Sequence, residues 1–480
     1  MTEIAILDIA IALLIAQGLM GAFDTLYHHE MTVALPQRHN ARLELVIHAV
    51  RAILYGALFA GIAHLQFHGL WAWVLAAVVL IEVGLTLWDF IVEDNSRKLP
   101  ITERVLHTVL AINGGALFGL YGVQLAQWAS LPTALVAIDL GWRGWVLSLF
   151  AVGVAASGVR DGLAALRLAR QVPALNPFTQ MPHQRVLVTG GTGFIGEALV
   201  QQLLDAGHQV TVLTRQPLNA AFLFAGRARC IYTLNHLHPD DTFDAVVNLA
   251  GARVVGMPWT QRQKKRLLDS RLHTTDQLLQ WAQRTQHKPT VWIQASGIGV
   301  YGVRSPEETL TEQSAPGQGF MTELCMQWEQ AAAQATRLGI RQVVRRLGMV
   351  LGPGGALPPM LLPHRLGLGG RLGSGQQVMA WIHREDVLAI IAQALVRPDM
   401  QGAYNTVAPE CVTQSTFATT VGQLLHRPVW LHIPATAIRW LAGEMAQIFV
   451  DGQKAVPQRL LDAHFKWRYP TLRAALQNLV

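Results

Sequence analysis

Charge is what this chain of 480 residues lacks most: Asp, Glu, Lys and Arg make up 14% of it, against 51% hydrophobic residues. An ordinary soluble domain carries about 25% charged residues. With a mean hydropathy of +0.28, that excludes a disordered chain and argues against one that is soluble throughout. Cysteine is almost absent. Cys230, Cys325 and Cys411 are widely spaced and include no Cys-x-x-Cys, so they build neither a disulfide framework nor a thiolate zinc site, and they point to a reducing compartment. Basic runs are missing too. The net charge is +7 with 38 Lys and Arg, and Lys264-Lys265-Arg266 reads as a solvated helix face, so no nucleic-acid partner is expected. The positive balance suits an anionic membrane surface.

Long apolar runs are plentiful, and they crowd into the first 170 residues. Ile4 to Phe23, Leu43 to Leu65, Leu70 to Asp89, Leu106 to Trp128 and Trp145 to Leu163 each approach the ~20 residues that cross a bilayer as a helix. The first has no basic residue before it and contains Asp8 and Gln17, so it reads as a retained span and not a cleavable signal. Arg38, Arg42, Arg97, Lys98 and Arg104 lie in the first and third connections, and Arg160, Arg167 and Arg170 at the end of span five, against Arg143 on the other side. Basic residues stay cytoplasmic. The expectation is a bacterial-type inner-membrane protein with its N-terminus outside and everything after Arg170 in the cytoplasm. Residues 171–184, with Pro173, Pro177 and Pro182, read as a linker. Beyond it, short apolar strands alternate with amphipathic helices, as in a parallel α/β sheet.

The segment Arg185-Val-Leu-Val-Thr-Gly-Gly-Thr-Gly-Phe-Ile-Gly-Glu-Ala-Leu-Val200 is a buried strand, a glycine-rich turn and a helix start. Gly190 permits the tight turn, Gly193 admits a pyrophosphate close to the backbone, and Gly196 lets helix and sheet pack closely. The turn from Gly190 through Gly191, Thr192, Gly193, Phe194 and Ile195 to Gly196 is therefore the expected dinucleotide site, with the helix N-terminus supplying N–H groups to phosphate. The next strand, His208 to Leu213, ends in Thr214-Arg215, where an NAD site usually offers an acid to the ribose. Arg215 instead suits a 2′-phosphate. NADP(H) is the expected cofactor, although an arginine at a strand end is also an ordinary surface residue.

Thr189-Gly-Gly-Thr-Gly-Phe-Ile-Gly196 resembles the TGxxGxxG fingerprint of extended short-chain dehydrogenases/reductases, the epimerase/dehydratase family. Further matches follow in order: Asn248-Leu249-Ala250-Gly251, Ser296-Gly-Ile-Gly-Val-Tyr-Gly302, Arg346 through Val350-Leu-Gly-Pro353, and Trp381-Ile-His-Arg-Glu-Asp386. Pro258-Trp259, Asp269-Ser-Arg271, Cys325-Met-Gln-Trp-Glu329, Gly373 to Gln377 and the tail Pro457 to Tyr469 are similar to an epimerase-like branch with a short C-terminal domain of unknown function. The resemblance covers about residues 184–480. It implies a Rossmann-type doubly wound parallel sheet, with Leu249, Ala250 and Gly251 beside the cofactor. The expected layout is a helical membrane domain of about five spans (1–170), the linker, the NADP(H) domain (185–405) and a small α/β cap (406–480).

Active members of the family carry a Tyr-x-x-x-Lys pair that moves the proton. Alignment on Glu329 puts Met321 and Cys325 at those positions, Gly297 where the family's hydroxyl stands, and Met349 where Asn is frequent. Ser296, Tyr301 and His383 are the remaining candidates for a catalytic role. Cys325 also falls within the motifs, but a helix cysteine is more often a small buried residue than a nucleophile. Tyr301 reads equally as a ring packed over the cofactor site, and His383 as a core histidine. The expected function is an NADP(H)-dependent oxidoreductase or epimerase-like protein acting on a small or lipid-like carbonyl or alcohol substrate. The alternative is an NADP(H)-sensing module that regulates the membrane part.

The spans carry ionisable residues on one membrane side: Asp24, His28, His29 and Glu30; Glu44, His48 and Arg51; Glu82, Asp89 and Glu93; Glu103 and His107. Glu44/His48/Arg51 and Glu82/Asp89/Glu93 each form one helical stripe, and Glu103/His107 lie one turn apart. Such groups face a bundle interior, where they pair or serve a pathway. Carboxylates and imidazoles from four helices are also what a di-iron or di-manganese site uses. Here the Glu-to-His spacing is one residue longer than the usual Glu-x-x-His. Ion pairing, with Arg51 neutralising Glu44 or Glu82, is the plainer reading, and a proton or ion pathway is a third.

Overall fold

The computed structural model describes residues 3–32, 35, 41–96, 99–170, 175–238 and 240–480, in two compact units, 1–173 and 174–480. In the first unit each apolar stretch forms one helix: α1 (Glu3–Phe23), α2 (Arg42–His64), α3 (Leu70–Ser96), α4 (Ile101–Ala129) and α5 (Trp142–Arg170). Among the described residues these five helices are long and apolar enough to cross a membrane. A π-helical turn, Asp24–Thr32, continues α1, and two short strands, β1 (Leu65–His68) and β2 (Ala134–Ala137), pair antiparallel.

Small residues set the crossing of α2 and α5. A Cβ on Gly158 would lie 2.9 Å from Ala49 O and Ala52 Cβ, and one on Gly56 3.2 Å from Ala151 O. Such small residues let the two helix backbones approach closely. Between α1 and α4, Asn113 donates to Gln17 Oε1 at 2.7 Å. The polarity of the unit is inverted relative to a water-soluble bundle. Leu80, Ile112 and Val152 are 70%, 69% and 70% exposed, while Asp24, Glu44, Glu82, Glu93 and Glu103 are buried.

In the second unit, β3 (Arg185–Thr189), α6 (Phe194–Asp205), β4 (Gln209–Leu213), α7 (Pro217–Leu223), β5 (Arg229–Ile231), β6 (Ala245–Asn248), α8 (Gln261–Arg284) and β7 (Val291–Gly297) come first. They are followed by β8 (Thr309–Leu310), α9 (Phe320–Ala333), β9 (Arg341–Leu347), β10 (Met349–Leu351), α10 (Leu357–Arg365), β11 (Gly369–Leu372), β12 (Val378–Met379), β13 (Trp381–His383), α11 (Arg384–Val396) and β14 (Gly402–Thr406). Seven of the strands form a parallel sheet in the order β14-β9-β7-β6-β3-β4-β5. Val186, Leu187 and Val188 are all fully buried, because a parallel sheet is covered on both faces. α6 and α11 pack on one face through Leu199, Leu203, Val387 and Ile391, and α8 on the other through Leu278 and Trp281. The chain runs outward from β3 to β5 and then restarts at β6 on the other side of β3. That reversal opens a crevice at the carboxyl ends of β3 and β6, where ligands of such sheets bind.

The segments expected as a linker and a cap both make contacts with the sheet unit. Residues 171–174 of the expected linker lie outside the described residues, but Phe178 is fully buried in the core and Asn176 donates to Gln202 O at 2.7 Å. Residues 406–480, expected as a cap, share a unit with the sheet. Arg459 donates to Ala403 O of β14 at 2.7 Å, and Asp386 of α11 accepts the backbone N–H groups of Arg468 and Tyr469 at 2.7 and 3.1 Å. Asp386→Ala strands both donors away from water, at about 1–3 kcal/mol for each group left unpaired. The thermal midpoint of the full-length protein in detergent is expected to fall by several degrees, and by less in Asp386→Asn, which keeps one acceptor.

Candidate functional site

The glycine turn sits at the mouth of the crevice. Gly190 has φ +69°, and a Cβ there would meet Leu249 O at 2.5 Å. A Cβ on Gly196 would lie 2.1 Å from Gly190 O, so both positions exclude a side chain. Gly191 packs under Val212, and Gly193 starts α6 with no side chain capping the helix. The first N–H groups of α6 are thus left for a ligand. Thr192 is exposed, and Ile195 and Phe194 are half-buried. Phe194 is bedded on Gly352 and Gly355, with the Arg384 guanidinium 5.2 Å from its ring centre.

The facing loop hangs on Asn248, which is fully buried. It accepts from Thr189 Oγ1 at 2.6 Å, donates to Thr275 and Gln294, each at 3.0 Å, and accepts the N–H of Ala250 at 3.3 Å. Leu249 and Ala250 therefore stand across the turn. Next to them, Gly251 leaves room for the Arg271 guanidinium, which donates to Leu267 O and Ala252 O at 2.9 and 3.2 Å. Burial holds Arg271 below the usual arginine value. At the end of β4, Thr214 bonds to Ile231 O at 2.9 Å. Arg215 beside it is exposed, with no ion pair among the described residues. The glycine turn thus faces the Leu249–Ala250 loop, and Arg215 follows the end of the neighbouring strand β4.

The residues expected around the reacting end are more fully engaged. Tyr301 is 0% exposed, donates to Asn405 Oδ1 at 2.7 Å and accepts from Arg346 at 3.0 Å. Burial, against the pull of Arg346, raises its pKa. Ser296, at the end of β7, donates to Glu329 at 2.6 Å, and Glu329 is held by Arg346 through two bonds at 3.0 and 2.9 Å. Burial alone lowers Arg346, but the bonds and charge of Glu329 outweigh it and raise its pKa. On α9, Met321 lies against Gly299 and Cys325 against Gly297. Burial, aided by the Glu329 charge, pushes the Cys325 thiol up to about 11, which favours the protonated, less reactive form. His383 is the N-cap of α11, with Nδ1 accepting from the Glu385 N–H at 3.2 Å, and its ring lies 3.9 Å from that of Tyr469. The structure thus links Ser296 and Tyr301 through Glu329 and Arg346, and places His383 in a helix cap outside that chain of bonds.

The helical unit gathers part of the expected polar cluster. Arg51 pairs with Glu82 and Asp89 at 3.2 and 2.5 Å, and His48 meets Asp89 at 3.1 Å. Asp24, His29, Glu103 and His107 offer ligand atoms that all lie within 4.8 Å of one another, as do those of His29, His48 and Glu93. His28 stands behind Asp24 at 2.7 Å, Glu44 is buried, and the side chain of Glu30 lies outside the described residues. Sequence spacing missed two features: the Arg271 guanidinium beside Gly251, and the stacking of His29 on His48, 4.7 Å apart at 6°. Both are contacts between distant segments, which periodicity does not report.

Residues 186–407 match the model of the NAD dependent epimerase/dehydratase family, and residues 433–479 that of a domain of unknown function (DUF1731). The chain is 40% identical over 302 residues to the epimerase family protein SDR39U1 of Mus musculus, across 62% of this chain and 99% of the relative. It is 35% identical over 303 residues to the epimerase family protein YfhF of Bacillus subtilis, across 62% and 97%. The crystal structure of the human epimerase family protein SDR39U1 with NADPH is similar at a TM-score of 0.56 and 38% identity, covering 62% of this chain and 98% of that one.

Buried His383 carries a pH signature. Burial, with the neighbouring Arg384 charge, holds it down at about 3 against an ordinary 6.5. Between those values the unfolded chain takes up a proton that the folded chain refuses, so stability is full above pH 6.5 and is lost as pH falls. Asp386, raised by burial to about 6 from 3.8, acts in the opposite direction, its cost disappearing as pH falls through that window. His383→Asn keeps an N-cap acceptor and removes the titration. Its stability is expected to fall less steeply below pH 6.5, by about 1.4 kcal/mol per pH unit. Urea titrations at several pH values give the slope, and an unchanged slope contradicts the assignment.

Proposed function

The chain belongs to the NAD-dependent epimerase/dehydratase family, and from that premise we propose that it is a membrane-anchored, NADP(H)-dependent oxidoreductase. Its substrate is a small or lipid-like carbonyl or alcohol compound. The observation that carries the cofactor reading is the glycine turn, where Gly190 and Gly196 bring two backbones into contact and leave the α6 N–H groups uncapped. Exposed Arg215 supports the phosphorylated form, since its planar fork matches a 2′-phosphate. The NADPH held in the crystal structure of the human relative agrees with it.

With the α9 positions taken by Met321 and Cys325, proton exchange falls to Ser296, whose hydroxyl is backed by Glu329. Bound NADP(H) would supply hydride exchange with the substrate carbon, and the proton of the substrate oxygen would pass through the Ser296 hydroxyl to or from Glu329, which accepts that hydroxyl's hydrogen bond. Arg346 holds Glu329 in place. Tyr301 and His383 act by packing and capping. A second reading, a sensing module that binds NADP(H) without turnover, is favoured by the full engagement of the Tyr301 hydroxyl.

The inverted polarity of residues 1–173 supports membrane anchoring. Helices with apolar exteriors and buried carboxylates are unfavourable in water and suited to hydrocarbon. The basic connections support an N-terminus outside and a nucleotide unit in the cytoplasm.

Arg215→Ala is expected to weaken NADPH at least tenfold and leave NADH within twofold, read by calorimetry on the full-length protein in detergent. Equal losses for both would remove the 2′-phosphate assignment. A panel of carbonyl substrates, followed by NADPH absorbance, separates the readings: turnover that Ser296→Ala lowers supports the enzyme, and tight binding with no turnover supports the module.

A further inference from the structure

We propose that the helical unit binds one divalent first-row transition-metal ion through Asp24, His29, Glu103 and His107. Such a site is independent of the nucleotide reading. Distances point to it first. His29 Nε2 lies 3.4 Å from Asp24 Oδ2 and 3.8 Å from Glu103 Oε1, and His107 Nε2 lies 3.1 Å from the same Asp24 oxygen. The first two are too long for hydrogen bonds. They match the edges of a coordination polyhedron, since four ligands at about 2.0–2.2 Å from one ion stand about 3.4 Å apart.

A second observation points the same way. The His29 side chain is 9% exposed, and its Nε2, turned toward these two carboxylates, has no hydrogen-bond partner. An imidazole nitrogen buried without a partner is costly, and a metal in the middle of the set satisfies it. The plainer reading, ion pairing, accounts for other members of the cluster. Arg51 engages Glu82 and Asp89, which takes those two out of the ligand set, whereas His29 meets Asp24 and Glu103 only at ion-pair distance and makes no hydrogen bond to either.

The surroundings are those of a metal centre. His107, binding through Nε2, turns Nδ1 toward Glu93 Oε2 at 3.3 Å, and Asp24, binding through Oδ2, has its other oxygen 2.7 Å from His28 Nδ1. The Glu93 contact is at ion-pair distance without a hydrogen bond, and it puts a carboxylate charge behind a ligating histidine. The π-helical turn of Asp24–Thr32 projects Asp24, His28 and His29 together, and such turns recur at functional sites. Two imidazoles with two carboxylates select Mn(II), Fe(II), Co(II) or Zn(II) over Mg(II) and Ca(II), which take oxygen ligands. His29 also belongs to the His29, His48 and Glu93 set, so the two sets share a ligand and the four-residue set is the fuller one.

The test uses the full-length protein, purified in detergent without a histidine tag or chelator from cells given iron, manganese and zinc. Elemental analysis is expected to find about one equivalent of such a metal per chain. After chelator treatment, Co(II) titration of the wild type is expected to give ligand-field bands distinct from those of hydrated Co(II), saturating near one equivalent. Glu103→Gln and His107→Ala should each lower metal content at least tenfold, while Asp8→Asn, whose carboxylate pairs with Arg143, keeps it. Wild-type protein that is metal-free as purified and gives only the hydrated Co(II) spectrum overturns the proposal, and this reading needs no variant to fold. Full metal content in both ligand variants overturns it as well.

Discussion

The nucleotide unit depends on one backbone-to-backbone approach: the first turn of α6 lies so close to the loop after β3 that a methyl group on Gly196 would fall 2.1 Å from Gly190 O. Everything at the crevice is referred to that contact. It sets the direction of α6, leaves the helix N-terminus open, and puts Phe194 into the bed made by Gly352 and Gly355. Across the crevice the buried Asn248 holds the opposite loop through bonds to Thr189 of β3, Thr275 of α8 and Gln294 of β7. The N–H donors of α6 are already aimed at the place a pyrophosphate would take.

The reacting end is built on a different principle. Where the family has a tyrosine and a lysine, this chain has Met321 and Cys325 packed on Gly299 and Gly297, and the ionic weight is moved to Glu329 and Arg346. That pair is bidentate and half-buried, geometry in which an arginine–carboxylate bond is strong, and it ties Ser296 to Tyr301. A buried pair of this kind contributes fixed orientation more surely than stability.

Much of this was legible in the residues. The five apolar runs became five helices, each long and apolar enough to cross a membrane, and the strand–glycine–helix order located the nucleotide crevice because each glycine answers to a separate steric demand. What periodicity could not show were contacts between distant segments. Phe178 stands among prolines that read as a linker, yet it is buried in the core that α6 helps to build. His383 and Asp386 sit in one motif and turn out to cap α11 and to hold the C-terminal tail. In the helical unit, helical spacing grouped Glu44 with His48 and Glu103 with His107. The set that converges is drawn from the π-helical turn and α4, with His48 and Glu93 beside it, because ligand sets are made by tertiary packing. The side of the strand end on which Ser296 finds Glu329 was equally invisible to a one-dimensional pattern.

The central claim is that the crevice at β3 and β6 holds a phosphorylated dinucleotide. The most direct measurement is calorimetric titration of the wild-type full-length protein in detergent with NADPH and, separately, with NADH. Saturable binding of one NADPH per chain is predicted, at least tenfold tighter than NADH. Absence of binding, or equal affinity for the two, contradicts it.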